Sequence, residues 1–161
     1  MDLLRSVSIL LAFFQIVKWA HIVNAHALIG ESLIHSLQEA ARSHGEQRGL
    51  LLLANMSAQS FMLGQDYSNQ VFDLAKRNRE FVFGFISPRQ RVEDPGFLNF
   101  SPGVHLQNKS DSLGQSYRHP RELSAVKPDG YIVGRGILQS PNPLQTACEY
   151  KDYCWKLFCD A

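Results

Sequence analysis

Short, wholly apolar runs recur along this chain with helix-spaced segments between them, and that alternation limits the possible fold most. "GLLLLANMS" (49–57) and "FVFGFIS" (81–87) place apolar residues at successive positions. A strand with one wet face would alternate, so continuous runs predict strands covered on both faces. "HIVNAH" (21–26), "LNFSPGV" (98–104) and "GYIVGRGI" (130–137) read as three further strands. Between them, Leu33, Ile34, Leu37, Ala40 and Ala41 recur at helical spacing, and Val71, Leu74 and Ala75 mark a second helix. "SYRHPRELSAV" carries a weaker helical signal, and Pro143 to Phe158 reads as a terminal helix with aromatics on one side. Strands of this kind separated by helices imply parallel pairing and an α/β fold.

Two α/β architectures compete. Every strand ends in polar or glycine-rich residues: Asn24 and His26, Ser57, Ser87, Ser101-Pro102-Gly103, and Gly134-Arg135-Gly136. In a (β/α)8 barrel these ends share one mouth, where ligands bind. A doubly wound sheet also binds at its strand ends, but the chain lacks a nucleotide fingerprint after its first strand. The barrel is favoured, although a complete one has eight strands and about 250 residues. Five strands in 161 residues predict an incomplete barrel.

The chain is 45% hydrophobic and 19% charged, as globular proteins are, and its net charge of +1 gives no reason to expect a nucleic-acid partner. Residues 1–18 form an apolar segment that resembles a secretory signal; the expectation is an apolar N-terminal helix of uncertain role before a domain at 19–161. A cytoplasmic location without membrane association is expected, with secretion or anchoring through residues 1–18 as the alternative. The sequons at Asn55, Asn99 and Asn108 would matter only in a secreted chain. Cys148, Cys154 and Cys159 fit no zinc spacing and read as buried thiols in a reducing compartment. The six histidines form no H-x-x-H pattern, so no metal site is expected.

The loops "SPGV" and "GRGI" stand where a barrel often binds phosphate. Gly103, Gly134 and Gly136 would let backbone N–H groups approach an anion, and Arg135 would add a permanently charged fork. A plain turn around Gly134-Arg135-Gly136 explains that tripeptide equally well. "LGQSY" (113–117) lies between the two loops and supplies Gln115, a donor and acceptor, and Tyr117, a phenolic donor.

The segments "IVNAH", "RGLLLLANMS", "FVFGFIS", "SPGV", "LGQSY" and "YIVGRGI" together resemble the C-terminal part of orotidine 5′-phosphate decarboxylases, including the decarboxylase half of animal UMP synthase. The resemblance implies strands four to eight of a TIM barrel, N-terminally truncated, and a carboxy-lyase of pyrimidine biosynthesis that converts orotidine 5′-phosphate to UMP and carbon dioxide. It implies that Arg135 and Tyr117 bind the nucleotide phosphate, Gln115 bridges phosphate and pyrimidine, and Ser57 bonds the pyrimidine edge. Pro102 and Gly134 would line the pocket and Asn24 would sit at its mouth. No cofactor is implied, and a homodimer or pairing with a full-length subunit is.

The chain also departs from that pattern. The family's Asp-x-Lys-x-x-Asp motif, whose lysine protonates the carbon that loses carbon dioxide, has no counterpart among Lys18, Lys76, Lys109, Lys127, Lys151 and Lys156. Glu149-x-Lys151 comes nearest, but Cys154 stands where the second carboxylate belongs. "SAQSFMLGQDY" replaces smaller residues in the loop after Ser57, and Asn55 replaces a usual glutamate. No catalytic residue is therefore assigned, and a weak or inactive chain, or a non-catalytic UMP-binding or subunit-pairing chain, is the alternative to an active enzyme.

Overall fold

The computed structural model describes residues 15–45, 47–57, 63–89, 92–107, 110 and 114–160. They form an α/β protein that divides into two compact units, residues 1–54 with 65–85, and residues 55–64 with 86–161. The expected N-terminal helix lies largely outside the described residues; Ile16–Lys18 form a single 3-10 turn.

The first unit holds β1 (Ile22–Ala25), α1 (Glu31–Ser43), β2 (Gly49–Leu53), α2 (Gln65–Arg77) and β3 (Val82–Ile86). β1 and β2 pair in parallel, with Asn24 opposite Leu51. The apolar positions read from the sequence form the core: Ile34, Leu50, Leu52, Val71, Val82 and Phe85 are fully buried. Phe72 meets Phe85 edge to face, 4.9 Å between centres. The Ser68 hydroxyl donates to the carbonyl of Ala54 at 2.7 Å, tying α2 to the end of β2. Asn78 closes α2 and donates to Leu74 O and Glu31 Oε1. Gly49 leaves room for the Phe83 ring, which would lie 2.7 Å from any added Cβ.

The second unit holds β4 (Leu98–Ser101), a 3-10 helix (Pro120–Val126), β5 (Gly130–Tyr131), α3 (Arg135–Leu138) and α4 (Pro143–Cys159). β4 and β5 pair in parallel, and Gly130 gives room to Phe100 as Gly49 does to Phe83. Asp129 fixes the start of this pairing on Asn99, its carboxylate accepting from Asn99 N at 2.7 Å and its own amide donating to Asn99 O at 2.8 Å. Val104, Leu123 and Tyr150 form the core, with Leu106, Tyr131, Val133 and Ile137 packed against them. α4 starts on Asn142, whose side chain accepts from Gln145 N, followed by Pro143.

Two expectations change. "GYIVGRGI" is not one strand: β5 ends at Tyr131, and Gly134 turns the chain into α3, its carbonyl accepting from Ile137 N and Leu138 N. Local hydrogen bonds around a glycine win over the apolar pattern. The cysteines are free but not buried: Cys148 and Cys159 are exposed and Cys154 is half-buried. α4 buries only Tyr150, so its other faces stay wet. Asn99, read as a sequon, is 2% exposed inside β4, which closes it to glycosylation in the folded chain.

Candidate functional site

Two loops meet in the second unit. After β2 the chain runs through Asn55 to Ser57, and Asn55 Oδ1 accepts from Met56 N, a local turn that holds the approach to Ser57. After β4 the chain turns at Pro102-Gly103. Gly103 has φ +70°, a conformation that costs other L-residues about 1–2 kcal/mol. A Cβ here would also strike the Ser57 side chain and lie 2.9 Å from the Ser116 carbonyl. Only glycine lets these backbones close.

The segment Gln115 to Arg118 returns beside both loops. Ser116 N donates to Ser57 O at 3.0 Å, Arg118 N donates to Gly103 O at 2.9 Å, and His105 N donates to Arg118 O at 3.0 Å. Arg118 also forms an isolated parallel bridge with Val104, so the segment runs beside the turn at Gly103. Gln115 Nε2 donates to Ser57 Oγ. The Arg135 guanidinium carbon lies 5.7 Å from the centre of the Tyr117 ring, within cation–π range. His105 packs edge to face on the same ring at 5.2 Å. Burial pushes the His105 imidazole below its ordinary pKa of 6.5.

The structure thus brings Ser57 to Gln115 and Arg135 to Tyr117, with Pro102, Gly103 and Ser57 lining one cleft. Asn24 is exposed on β1 in the first unit. The three glycines differ. Gly103 is required by backbone geometry, while a Cβ at Gly134 would meet nothing within 4 Å. At Gly136 the Tyr150 hydroxyl and His105 lie against the backbone, so an added Cβ would have no room. Sequence reasoning missed His105 and Arg118. The signals were their places, directly after "SPGV" and directly after Tyr117 in an alternating segment. No group of three or more metal-ligating side chains occurs among the described residues, and none of their helices is long and apolar enough to cross a membrane.

Residues 7–150 match the sequence profile of the orotidine 5′-phosphate decarboxylase / HUMPS family. Orotidine 5′-phosphate decarboxylase of Rhizopus oryzae is 41% identical over 149 residues, covering 90% of this chain and 56% of the relative. Its counterpart in Aspergillus fumigatus is 34% identical, covering 89% and 57%. The chain therefore spans little more than half the length of these relatives. The crystal structure of orotidine 5′-monophosphate decarboxylase from Methanocaldococcus jannaschii, complexed with the inhibitor BMP, superposes with a TM-score of 0.69 at 20% identity. That match covers 94% of this chain and 68% of the solved one. The Sulfolobus solfataricus structure gives 0.63 at 21% identity, so the fold is common to all three. With its profile match covering most of its length, the chain belongs to the orotidine 5′-phosphate decarboxylase / HUMPS family.

Proposed function

We propose that the chain binds a pyrimidine nucleoside 5′-phosphate, orotidine 5′-phosphate or UMP, with the phosphate at Arg135 and Tyr117. Ser57 and Gln115 hold the ring edge, and Pro102 and Gly134 line the pocket. The meeting of Arg135 with Tyr117 carries this reading, because it puts a fixed charge and a phenolic donor from separate loops at one place. The five strands then stand for the fourth to eighth strands of a (β/α)8 barrel.

The chain holds this nucleotide without turning it over at the rate of an intact enzyme. Loss of carbon dioxide leaves a ring carbanion that needs a positioned proton donor. None of the six lysines stands in an Asp-x-Lys-x-x-Asp motif. Calorimetric titration with UMP tests binding, and loss of orotidine 5′-phosphate absorbance tests turnover. Arg135→Ala should weaken UMP binding at least tenfold, and unchanged binding in that variant would overturn the phosphate assignment. Decarboxylation near an intact enzyme's rate would overturn the non-catalytic reading.

One observation favours a second role, pairing with a longer family member. Trp155 and Phe158 stack at 5.8 Å on α4, 66% and 60% exposed, over a groove lined by Tyr131, Val133 and Ile137. Co-elution with a full-length relative on gel filtration would support pairing, and separate elution would exclude it at the concentrations used.

A further inference from the structure

His105 and Arg135 line one cavity of about 370 Å³, and both approach the same ring. The Tyr117 ring centre lies 5.2 Å from the His105 ring centre and 5.7 Å from the Arg135 guanidinium carbon. The imidazole is half-buried and held from several sides. Its backbone N–H donates to Arg118 O at 3.0 Å, and its Nδ1 accepts from Gln107 N at 3.1 Å. A neutral imidazole that accepts at one nitrogen carries its proton on the other, so Nε2 is the donor. That side of the ring faces α3: Cδ2, bonded to Nε2, would lie 3.2 Å from a Cβ at Gly136, the residue after Arg135. Across the cavity stands Glu149 of α4, whose Oε1 accepts from Gln145 Nε2 at 3.1 Å. An anion entering here meets donors at His105 and Arg135 and a carboxylate at Glu149, so it is drawn to the His105–Arg135 side.

We infer that His105 is a further phosphate-binding residue of this chain, its Nε2–H donating to the nucleotide phosphate that Arg135 and Tyr117 hold. This rests on the nucleotide-binding reading above and adds to it a donor of a different kind. Arg135 supplies charge on a long, rotatable side chain. His105 supplies a neutral N–H on a ring whose tautomer and tilt are already set by Gln107 and Tyr117, so little freedom is lost when the phosphate arrives.

The test titrates the full chain with UMP by calorimetry at about pH 8, where the imidazole is neutral, alongside His105→Phe and His105→Gln. Phenylalanine keeps an aromatic ring against Tyr117 and removes the donor, whereas glutamine returns an N–H at similar reach. UMP should bind His105→Phe roughly tenfold to a hundredfold more weakly than the wild type, the range of a hydrogen bond to a charged group. His105→Gln should recover part of that loss. Unchanged affinity in His105→Phe overturns the inference. Equal weakening in both variants would mean that His105 acts through packing alone, which overturns the inference and leaves nucleotide binding standing. Proton NMR of the wild-type chain decides where a variant does not fold: the His105 Nε2–H resonance should move downfield on saturation with UMP, and an unmoved resonance overturns the inference. Failure of the wild-type chain to bind UMP would overturn the binding reading itself.

Discussion

Gln115 donates its side-chain amide to the hydroxyl of Ser57, a residue 58 positions earlier in the chain. The bond joins the loop after β2 to the segment returning after β4, so whatever disturbs either loop is felt at both residues.

Gly103 is the most sensitive point of that junction. Gly103→Ala combines a positive φ with a Cβ against Ser57 and the Ser116 carbonyl. A cost of about 1–3 kcal/mol is expected, lowering the melting temperature by several degrees. A Gly103→Ala chain that melts with the wild type would remove the steric argument.

The core of the second unit makes a graded prediction. Leu123 is fully buried, so Leu123→Ala should cost about 2–5 kcal/mol. Leu138 is 76% exposed, and Leu138→Ala should stay within about 0.5 kcal/mol. Urea denaturation of both variants compares them directly.

Tyr150 and Gly136 are expected to be coupled. Tyr150 OH accepts from Leu106 N at 3.1 Å and also occupies the space a Cβ at Gly136 would need. Tyr150→Phe should cost about 0.5–1.5 kcal/mol, the worth of a typical hydrogen bond, because the partly buried Leu106 N–H loses its partner. Gly136→Ala ordinarily favours a helix but here should destabilise, and less so when Tyr150→Phe is already present. Additive losses in the double variant would argue against the shared space.

The His105 imidazole titrates below 6.5 in the folded chain because it is partly buried against Tyr117. The unfolded chain therefore takes up this proton first as pH falls. Stability from this group is complete above pH 6.5 and erodes as pH drops from 6.5 toward the lower folded value. Melting curves at pH 7.5 and 5.5 should show a smaller fall for His105→Gln than for the wild type. An identical fall in both would assign the effect to other groups.

Much of this was legible from residue order. The apolar runs at 49–57 and 81–87 placed β2 and β3, and the Pro-Gly turn placed the end of β4, because burial and turn chemistry act locally. The meeting of Tyr117 with Arg135 was expected only from the resemblance carried by "LGQSY" and "YIVGRGI". The turn into α3 was hidden, since Ile132, Val133 and Ile137 have the apolarity of a strand and only Gly134 breaks the run. That Tyr150 leans on Gly136 was also hidden, since no sequence signal shows a contact between residues so placed. His105 was one of six scattered histidines, and only tertiary packing brings it to the Tyr117 ring. The exposure of the cysteines turned on which face of α4 had a neighbour, and an aromatic-rich helix does not disclose that.

Cys148 and Cys159 are both exposed on α4 and stand eleven residues apart. Eleven residues make about three turns, so the two thiols project from the same side roughly 16 Å from each other. Left in air, such a ridge would knit separate molecules into covalent ladders, and titrations would then report on the ladder. Kept reduced, the same pair can take a two-headed maleimide or a pair of dyes, a ready-made ruler along the helix.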